Sequence, residues 1–372
     1  MPGASPLALL AAGGTGGHLF PAEALAEALA RRGIAVELVT DERAERYGKR
    51  FPAQHIHIIA SETVRGRNPV SLLRSGTIMG LALLRAMRLI RRMKPGVVVG
   101  FGGYPTVAPV LAASLSHVPT IIHEQNAVMG RANTFLASRA STIATSFAGV
   151  LDRTPALQGK ARFTGNPVRP AVLAAAAMPY PELLPDGLFR LLTFGGSQGA
   201  RIMSEIVPAA VARLDQALRL RLLVAQQARG EDLNLVRDVY ARLGISAEVA
   251  PFFPDLPARI AAAHLVVGRS GASTVAELAA IGRPAILVPL PHALDQDQSA
   301  NAGVLEKAGG AIRLPQADFT PERLAADITA FAAAPSRLTA MAAAARSAGA
   351  IDAAERLADL VDDSIARGGL PR

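Results

Sequence analysis

The 372-residue sequence predicts an α/β protein built from two doubly wound parallel-sheet domains, and three observations lead there. The chain exceeds the length at which one core usually keeps growing, so two domains of ordinary size are expected. Short apolar runs alternate with longer helical patterns, the rhythm of parallel strands joined by helical crossovers. Twice, an apolar run ends in a glycine-rich turn: Leu9-Leu10-Ala11-Ala12-Gly13-Gly14-Thr15-Gly16-Gly17 lines up with Leu191-Leu192-Thr193-Phe194-Gly195-Gly196-Ser197-Gln198-Gly199. Half of the residues are hydrophobic but only 4% are aromatic and none is Trp, so both cores must be built mainly from Ala, Val, Leu and Ile.

In chain order, Leu7 to Ala12 and Ile34 to Val39 read as buried strands with Ala22 to Arg32 as the helix between them, a βαβ unit. Strands at Val97 to Gly100, Thr120 to His123 and Thr142 to Thr145 complete a first Rossmann-like sheet, which ends near Gly165-Asn166-Pro167. The stretch Val168 to Gly187 holds Pro170, Pro179, Pro181 and Pro185, breaks the alternation and reads as an interdomain linker. A second series follows, with strands at Phe189 to Phe194, Leu220 to Ala225, Leu265 to Val267 and Ala285 to Val288.

Glycines between a strand and a helix permit positive φ and close backbone approach, while the helix N-terminus offers unpaired N–H groups and a positive dipole end, a place that suits phosphates. Gly13 to Gly17 and Gly195 to Gly199 fit this description, and Phe101-Gly102-Gly103-Tyr104-Pro105 follows a third strand in the same manner. Tight turns without a ligand are the alternative. The first loop is not the dinucleotide fingerprint, which needs Gly where Leu19 stands, and no loop continues into the Gly-Lys-Ser/Thr of a P-loop. His18 directly follows the first loop, where an imidazole can reach a ligand held at the helix N-terminus; a structural histidine is the alternative.

His123-Glu124-Gln125-Asn126 closes an apolar strand with four polar side chains, at the end of a parallel strand where open α/β sheets bind ligands. They form either a self-satisfied turn network or a cluster that holds sugar hydroxyls. In Gly165-Asn166-Pro167-Val168-Arg169 the arginine is either a surface residue or one that neutralises a diphosphate. Arg269-Ser270-Gly271-Ala272-Ser273-Thr274 leads from a strand into a helix bearing Glu277. Ser273 and Thr274 either cap that helix or bind phosphate oxygens, and Glu277 can take both hydroxyls of a ribose. Asp295-Gln296-Asp297-Gln298 opens another helix, and its two carboxylates read as caps rather than as metal ligands.

The helix Leu72 to Met93 carries two stripes. Leu72, Met79, Leu83, Met87 and Ile90 read as core; Arg74, Ile78, Leu81, Arg85, Arg88 and Arg92 form a second face, apolar in its middle and otherwise basic, which suits anionic lipid headgroups. The arginines make the stretch a poor spanning helix. Residues Met1 to Ala12 have neither a basic n-region nor a cleavage site, so no signal peptide is expected. A formal charge of +9 implies attraction to anions without choosing among nucleic acid, membrane and phosphorylated substrates. The absence of Cys excludes disulfides, thiolate metal sites and cysteine nucleophiles.

Taken together and in order, the glycine loops with His18, Gly102-Gly103-Tyr104-Pro105, His123-Glu124-Gln125-Asn126, Gly165-Asn166-Pro167-Val168-Arg169, Gly195-Gly196-Ser197-Gln198-Gly199-Ala200, Arg269-Ser270-Gly271-Ala272 and Gln298-x-x-Asn301-Ala302 resemble the bacterial peptidoglycan glycosyltransferases of the MurG family, from about residue 7 to residue 315. The resemblance implies a GT-B fold of two facing Rossmann-like domains. The first would be residues 1–168, acceptor- and membrane-facing, with a helix at about 348–368 packed back on it; the second, residues 169–347, would bind the UDP-sugar. It implies inverting transfer of N-acetylglucosamine from UDP-N-acetylglucosamine to the C4 hydroxyl of lipid I, giving lipid II, at the cytoplasmic face of the inner membrane. Peripheral contact with anionic lipid and partners among cell-wall synthesis proteins follow from it; no nucleic acid, metal or other cofactor does.

Carried onto matching positions, the resemblance assigns donor contacts to Thr15, Gly16, Gly17, Asn126, Arg169, Ser197, Phe253, Ala272, Ser273, Thr274, Val275, Ala276, Glu277 and Gln298. The catalytic set would be His18 as base, Glu124 as the rival base, and Tyr104. Phe253 stands where the family commonly has an aliphatic residue beside uracil, so its backbone carries the role; Asp297 stands where relatives commonly have Gln or His. A UDP-N-acetylglucosamine epimerase on the same fold, and a non-catalytic sugar-nucleotide sensor, are the rival functions.

Overall fold

The computed structural model describes residues 6–13, 15–42, 51–59, 69–196, 198–291 and 296–368. Gly14, Ser197 and Asp295 lie outside the described residues, as do the side chains of Leu72 and Arg74. The chain divides into two units, Met1–Arg169 with Ile351–Arg372, and Pro170–Ala350.

The first unit runs β1 (Leu7–Ala11), α1 (Gly16–Arg31), β2 (Ala35–Thr40), β3 (His55–Ile58), α2 (Pro69–Met93), β4 (Val97–Gly100), α3 (Val107–Leu115), β5 (Thr120–Glu124), α4 (Arg131–Ala137), β6 (Thr142–Thr145), α5 (Pro155–Gln158) and β7 (Ala161–Phe163). The strands form one parallel sheet in the order β3-β2-β1-β4-β5-β6-β7. Alternate residues of β1 serve opposite cores, because successive strand side chains leave opposite faces. Ala8 and Leu10 pack with α1, while Leu9 and Ala11 pack with α2 and α3. This is why the strands read as unbroken apolar runs.

The second unit contains α6 (Pro170–Ala176), β8 (Phe189–Phe194), α7 (Arg201–Val211), α8 (Gln216–Leu220), β9 (Leu222–Gln227), α9 (Leu233–Arg242), β10 (Ser246–Ala250), α10 (Leu256–Ala262), β11 (Leu265–Gly268), α11 (Ala272–Ile281), β12 (Ala285–Leu287), α12 (Asp297–Ala308), β13 (Ala311–Arg313), α13 (Pro321–Ala332) and α14 (Pro335–Ser347). Its sheet is parallel in the order β10-β9-β8-β11-β12-β13. Leu191, Val224 and Val267 share one core with α7, α9 and α13.

Two expectations are corrected. The proline-rich stretch is not a bare linker: Pro170 opens α6, which packs on α10 and α11, because proline's fixed φ suits a first helical turn. The first helix begins at Gly16 rather than Ala22, so the glycine loop itself supplies its first turn.

After the second unit the chain returns as α15 (Ala353–Gly368), which inserts Leu357, Ala358 and Val361 into the α1 side of the first core. Arg32, just past α1, donates to Glu355 (2.6 Å), Asp359 (2.8 Å) and Asp362 (2.6 Å) on that helix. The Arg32 and Arg31 guanidiniums hold the Glu355 carboxyl below its usual range. A carboxyl with a depressed folded pKa contributes stability above its unfolded pKa and loses it as pH falls through the folded one. Arg32→Ala is expected to lower stability at pH 7 by about 1 kcal/mol, the scale of solvent-screened pairs. In urea titrations the gap to the parent protein should close as the pH falls below the carboxylate range.

Candidate functional site

In the first unit most of the site residues expected from the sequence gather at the carboxyl ends of β1, β4 and β5. Thr15 is the N-cap residue of α1, and the N–H groups of Gly16 and Gly17 belong to the first turn, which an α-helix leaves without i−4 carbonyl partners. One residue on, the half-buried His18 lays its imidazole across glycines of two loops. A Cβ on Gly13 would stand 3.3 Å from His18 Cδ2, one on Gly102 3.2 Å from Cε1 and one on Gly103 3.4 Å from Cδ2. Gly102 and Gly103 also take positive φ. Here glycine is needed both for the turn and because any side chain would displace the ring. The half-buried Tyr104 opens the short 3-10 turn that follows these glycines.

The His-Glu-Gln-Asn cluster proves to be the self-satisfied network, which corrects the hydroxyl-holding expectation for its first three members. Glu124 is 1% exposed. Its carboxylate accepts from Asn126 N (2.9 Å), Asn126 Nδ2 (3.2 Å), Gly130 N (2.9 Å) and Asn133 Nδ2 (2.8 Å), closing the turn into α4. Burial pushes its pKa up and these donors pull it down. Gln125 donates to Phe101 O at 2.9 Å, tying the β5 end to the β4 loop. His123 is fully buried, and burial, opposed by its bond to Gly165 O and aided by the charge of nearby His18, lowers its pKa to about 4. Asn126 is half-buried.

Arg169 closes the first unit. Its guanidinium lies 4.0 Å from the Phe20 ring centre, one turn along α1 from the glycines. The positive charge therefore sits beside the positive end of that helix, an arrangement that favours an anion.

In the second unit, the Gly195 loop is clamped by Gln227, which accepts from Gly195 N (2.9 Å) and donates to Gly196 O (3.0 Å) and Pro251 O (3.1 Å). Sequence reasoning missed this residue, although the Gln226-Gln227 pair closing the apolar β9 was a signal of the same kind as the cluster after β5. Arg269 is structural: its guanidinium donates to Val288 O, Pro289 O and Gln316 Oε1.

The α11 segment sorts itself by geometry. Gly271, not Ser273 or Thr274, is the N-cap, so the capping reading fails and the first-turn N–H groups of Ala272, Ser273 and Thr274 remain for a ligand. Val275 is corrected: its side chain is core and its N–H donates to Gly271 O at 3.0 Å. Ala276 lies in the second turn and Glu277 is buried. Phe253 is buried with Arg259 4.2 Å from its ring centre, so its ring is packing. Gln298 Oε1 is engaged by Leu290 N at 3.0 Å, which leaves its amide nitrogen for other partners. Asp297 Oδ1 accepts from Gln298 N at 2.7 Å.

Each of the two parallel sheets carries a glycine loop that leads to a helix N-terminus, and the chain matches one glycosyltransferase family over both units. Residues 8–145 match the glycosyltransferase family 28 N-terminal domain and residues 190–357 the glycosyltransferase family 28 C-terminal domain. The chain belongs to this family, and its fold is GT-B. It is 64% identical over 334 residues, 90% of this chain and 91% of the relative, to the "UDP-N-acetylglucosamine--N-acetylmuramyl-(pentapeptide) pyrophosphoryl-undecaprenol N-acetylglucosamine transferase" of Bradyrhizobium diazoefficiens. The crystal structure of Acinetobacter baumannii MurG superposes with a TM-score of 0.79 at 30% identity, covering 96% of this chain and 99% of that one. A putative UDP-N-acetylglucosamine 2-epimerase from Listeria monocytogenes gives a TM-score of 0.69 at 14% identity over 99% of each chain, which shows the shared fold alone.

Proposed function

We propose that the enzyme transfers N-acetylglucosamine from UDP-N-acetylglucosamine to the C4 hydroxyl of N-acetylmuramoyl-pentapeptide on undecaprenyl diphosphate, with inversion, making lipid II. The observation that carries the reading is the His18 imidazole resting on the glycines of two loops beside a helix N-terminus, in a chain 64% identical to a relative whose name gives the same donor, acceptor and transferred sugar.

The acceptor O4 forms its bond to the anomeric carbon as the bond from that carbon to the β-phosphate oxygen breaks. His18 takes the hydroxyl proton and UDP leaves with the electron pair. Donor contacts in the first unit are Thr15, Gly16, Gly17, Asn126 and Arg169. In the second they are Ser197, the backbone near Phe253, the first turn of α11 from Ala272 to Thr274, Glu277 and Gln298. Helix N-termini and Arg169 stabilise the departing diphosphate. Glu124 and His123 hold the loop rather than move the proton, and Tyr104 lines the acceptor side.

The deciding experiment is a radiolabelled transfer assay with UDP-N-acetylglucosamine and a lipid I analogue. Acceptor-dependent UDP release and labelled product are expected. Conversion of the sugar nucleotide without acceptor would establish the epimerase, and binding without product the sensor.

For membrane contact the support is α2. Its outer face exposes Leu81 and Leu84, each 52% accessible, beside exposed Arg85, Arg88, Arg91 and Arg92, while Ala82, Ala86 and Ile90 are buried. Among the described residues no helix is long and apolar enough to cross a membrane. We place the enzyme peripherally on the anionic inner leaflet, each arginine adding about 1 kcal/mol near the surface. Reversing Arg85, Arg88 and Arg92 to Glu should abolish cosedimentation with anionic vesicles; unchanged sedimentation would remove this face from the account.

A further inference from the structure

His123 has no solvent exposure, so it touches no substrate, yet both ring nitrogens are committed. Nδ1 faces Gln125 Nε2 at 3.1 Å. That amide nitrogen also lies against two carbonyls, Phe101 O at 2.9 Å and His123 O at 3.1 Å, which fixes it as the donor end of the side chain. A ring nitrogen facing a donor must present its lone pair, so the proton sits on Nε2, which donates to Gly165 O at 3.0 Å. Burial keeps the ring neutral, and the tautomer with it.

Gly165 is thereby held at both ends. Its N–H donates to the carbonyl of Thr145, the last residue of β6, at 3.2 Å, its own carbonyl accepts from His123 Nε2 across the sheet and from the neighbouring Thr164 Oγ1, each at 3.0 Å, and its φ of 82° turns the chain between them. Only Asn166, Pro167 and Val168 separate it from Arg169; all three are buried, and Pro167 has a fixed φ. A stiff span this short passes any displacement of Gly165 to Arg169, whose guanidinium must stay on Phe20 beside the α1 N-terminus.

We propose that His123 is a positioning residue for the sugar nucleotide: its neutral imidazole is the strut between β5 and the Gly165–Arg169 segment and sets where the Arg169 charge meets the diphosphate. The inference rests on the donor-site reading of Arg169 given above.

The test uses the full chain and UDP as the probe, with binding followed by calorimetry and folding by thermal melting. Arg169→Ala and His123→Leu should each weaken UDP binding roughly tenfold, the scale of one lost charge-assisted contact, and the double variant should bind no more weakly than Arg169→Ala alone. His123→Gln carries an amide nitrogen out to the reach of Nε2 and should restore binding. His123→Asn reaches only as far as Nδ1 and should not. A uniform structural role would not separate these two amides, and they decide the matter if His123→Leu fails to fold. Multiplying effects in the double variant, or equal rescue by Asn and Gln, would overturn the strut. Arg169→Ala weakening UDP while His123→Leu does not would overturn the strut alone; unchanged binding in Arg169→Ala would remove both the donor-site reading of that residue and the strut.

Discussion

His18→Ala is expected to lower turnover in the lipid I transfer assay by roughly 10²-fold or more, the usual cost of losing a general base, while the donor KM changes only a few-fold. The imidazole sits at the start of α1 against Gly13, Gly102 and Gly103, and the Gln125 amide, which also approaches Gly102, is turned to the backbone. The rival base behaves differently. Glu124 has four donors on its two oxygens and almost no accessible surface, so Glu124→Gln should cost stability, because an amide nitrogen would face donors, and should reduce turnover less than tenfold in the fraction that folds. Near-normal turnover in His18→Ala, or a larger loss in Glu124→Gln with an unchanged melting temperature, would reverse the two roles.

The second large effect is expected at Gly195. An added Cβ there would lie 2.2 Å from Ala200 N, 2.5 Å from Ala200 Cβ and 2.6 Å from Gly199 C, and two of those three atoms are backbone that cannot rotate away. The loop is also fastened to Gln227 through the Gly195 N–H and the Gly196 carbonyl. Gly195→Ala must therefore move the loop, at about 1–3 kcal/mol or more for an overpacked site, and should abolish measurable UDP binding. Gly196→Ala is the informative contrast: a Cβ there meets nothing within 4 Å, and only the φ of 89° is strained, so binding should fall modestly. A parental melting temperature and UDP affinity in Gly195→Ala would show that the loop yields and that its tight turn is not required.

What the sequence left unread follows a physical pattern. The strands it predicts, β1, β2, β4, β5, β6, β8, β9, β11 and β12, are interior to the two sheets, where both faces are buried and the runs are apolar. The four it misses, β3, β7, β10 and β13, are the four sheet edges. Edge strands are half-solvated, and His55-Ile56-His57-Ile58 or Ser246-Ala247-Glu248-Val249-Ala250 carry polar residues that hide them among loops. The candidate site was nominated from short segments that each carry several of its residues, as in Gly13 to His18 and Gly102 to Tyr104. It was not legible where a role depends on a partner reached across a crossover, as with His123 and Gly165, Gln227 and Gly195, or Arg269 and Gln316. Residue type could nominate the α11 segment, but only helix geometry could tell the outward first turn from the inward Val275.

The return of α15 to the first unit has a consequence for biosynthesis. Leu357, Ala358 and Val361 fill the core that Leu25 and Leu29 of α1 begin, so a nascent chain carries an unfinished apolar surface near its beginning until residues 351–368 have left the ribosome. The lobe translated first is the one completed last, and it waits while the whole intervening unit is made. Translation stalled anywhere within residues 170–350 would leave that surface open to chaperones and proteases, whereas the second unit, contiguous in sequence, could close before its neighbour does.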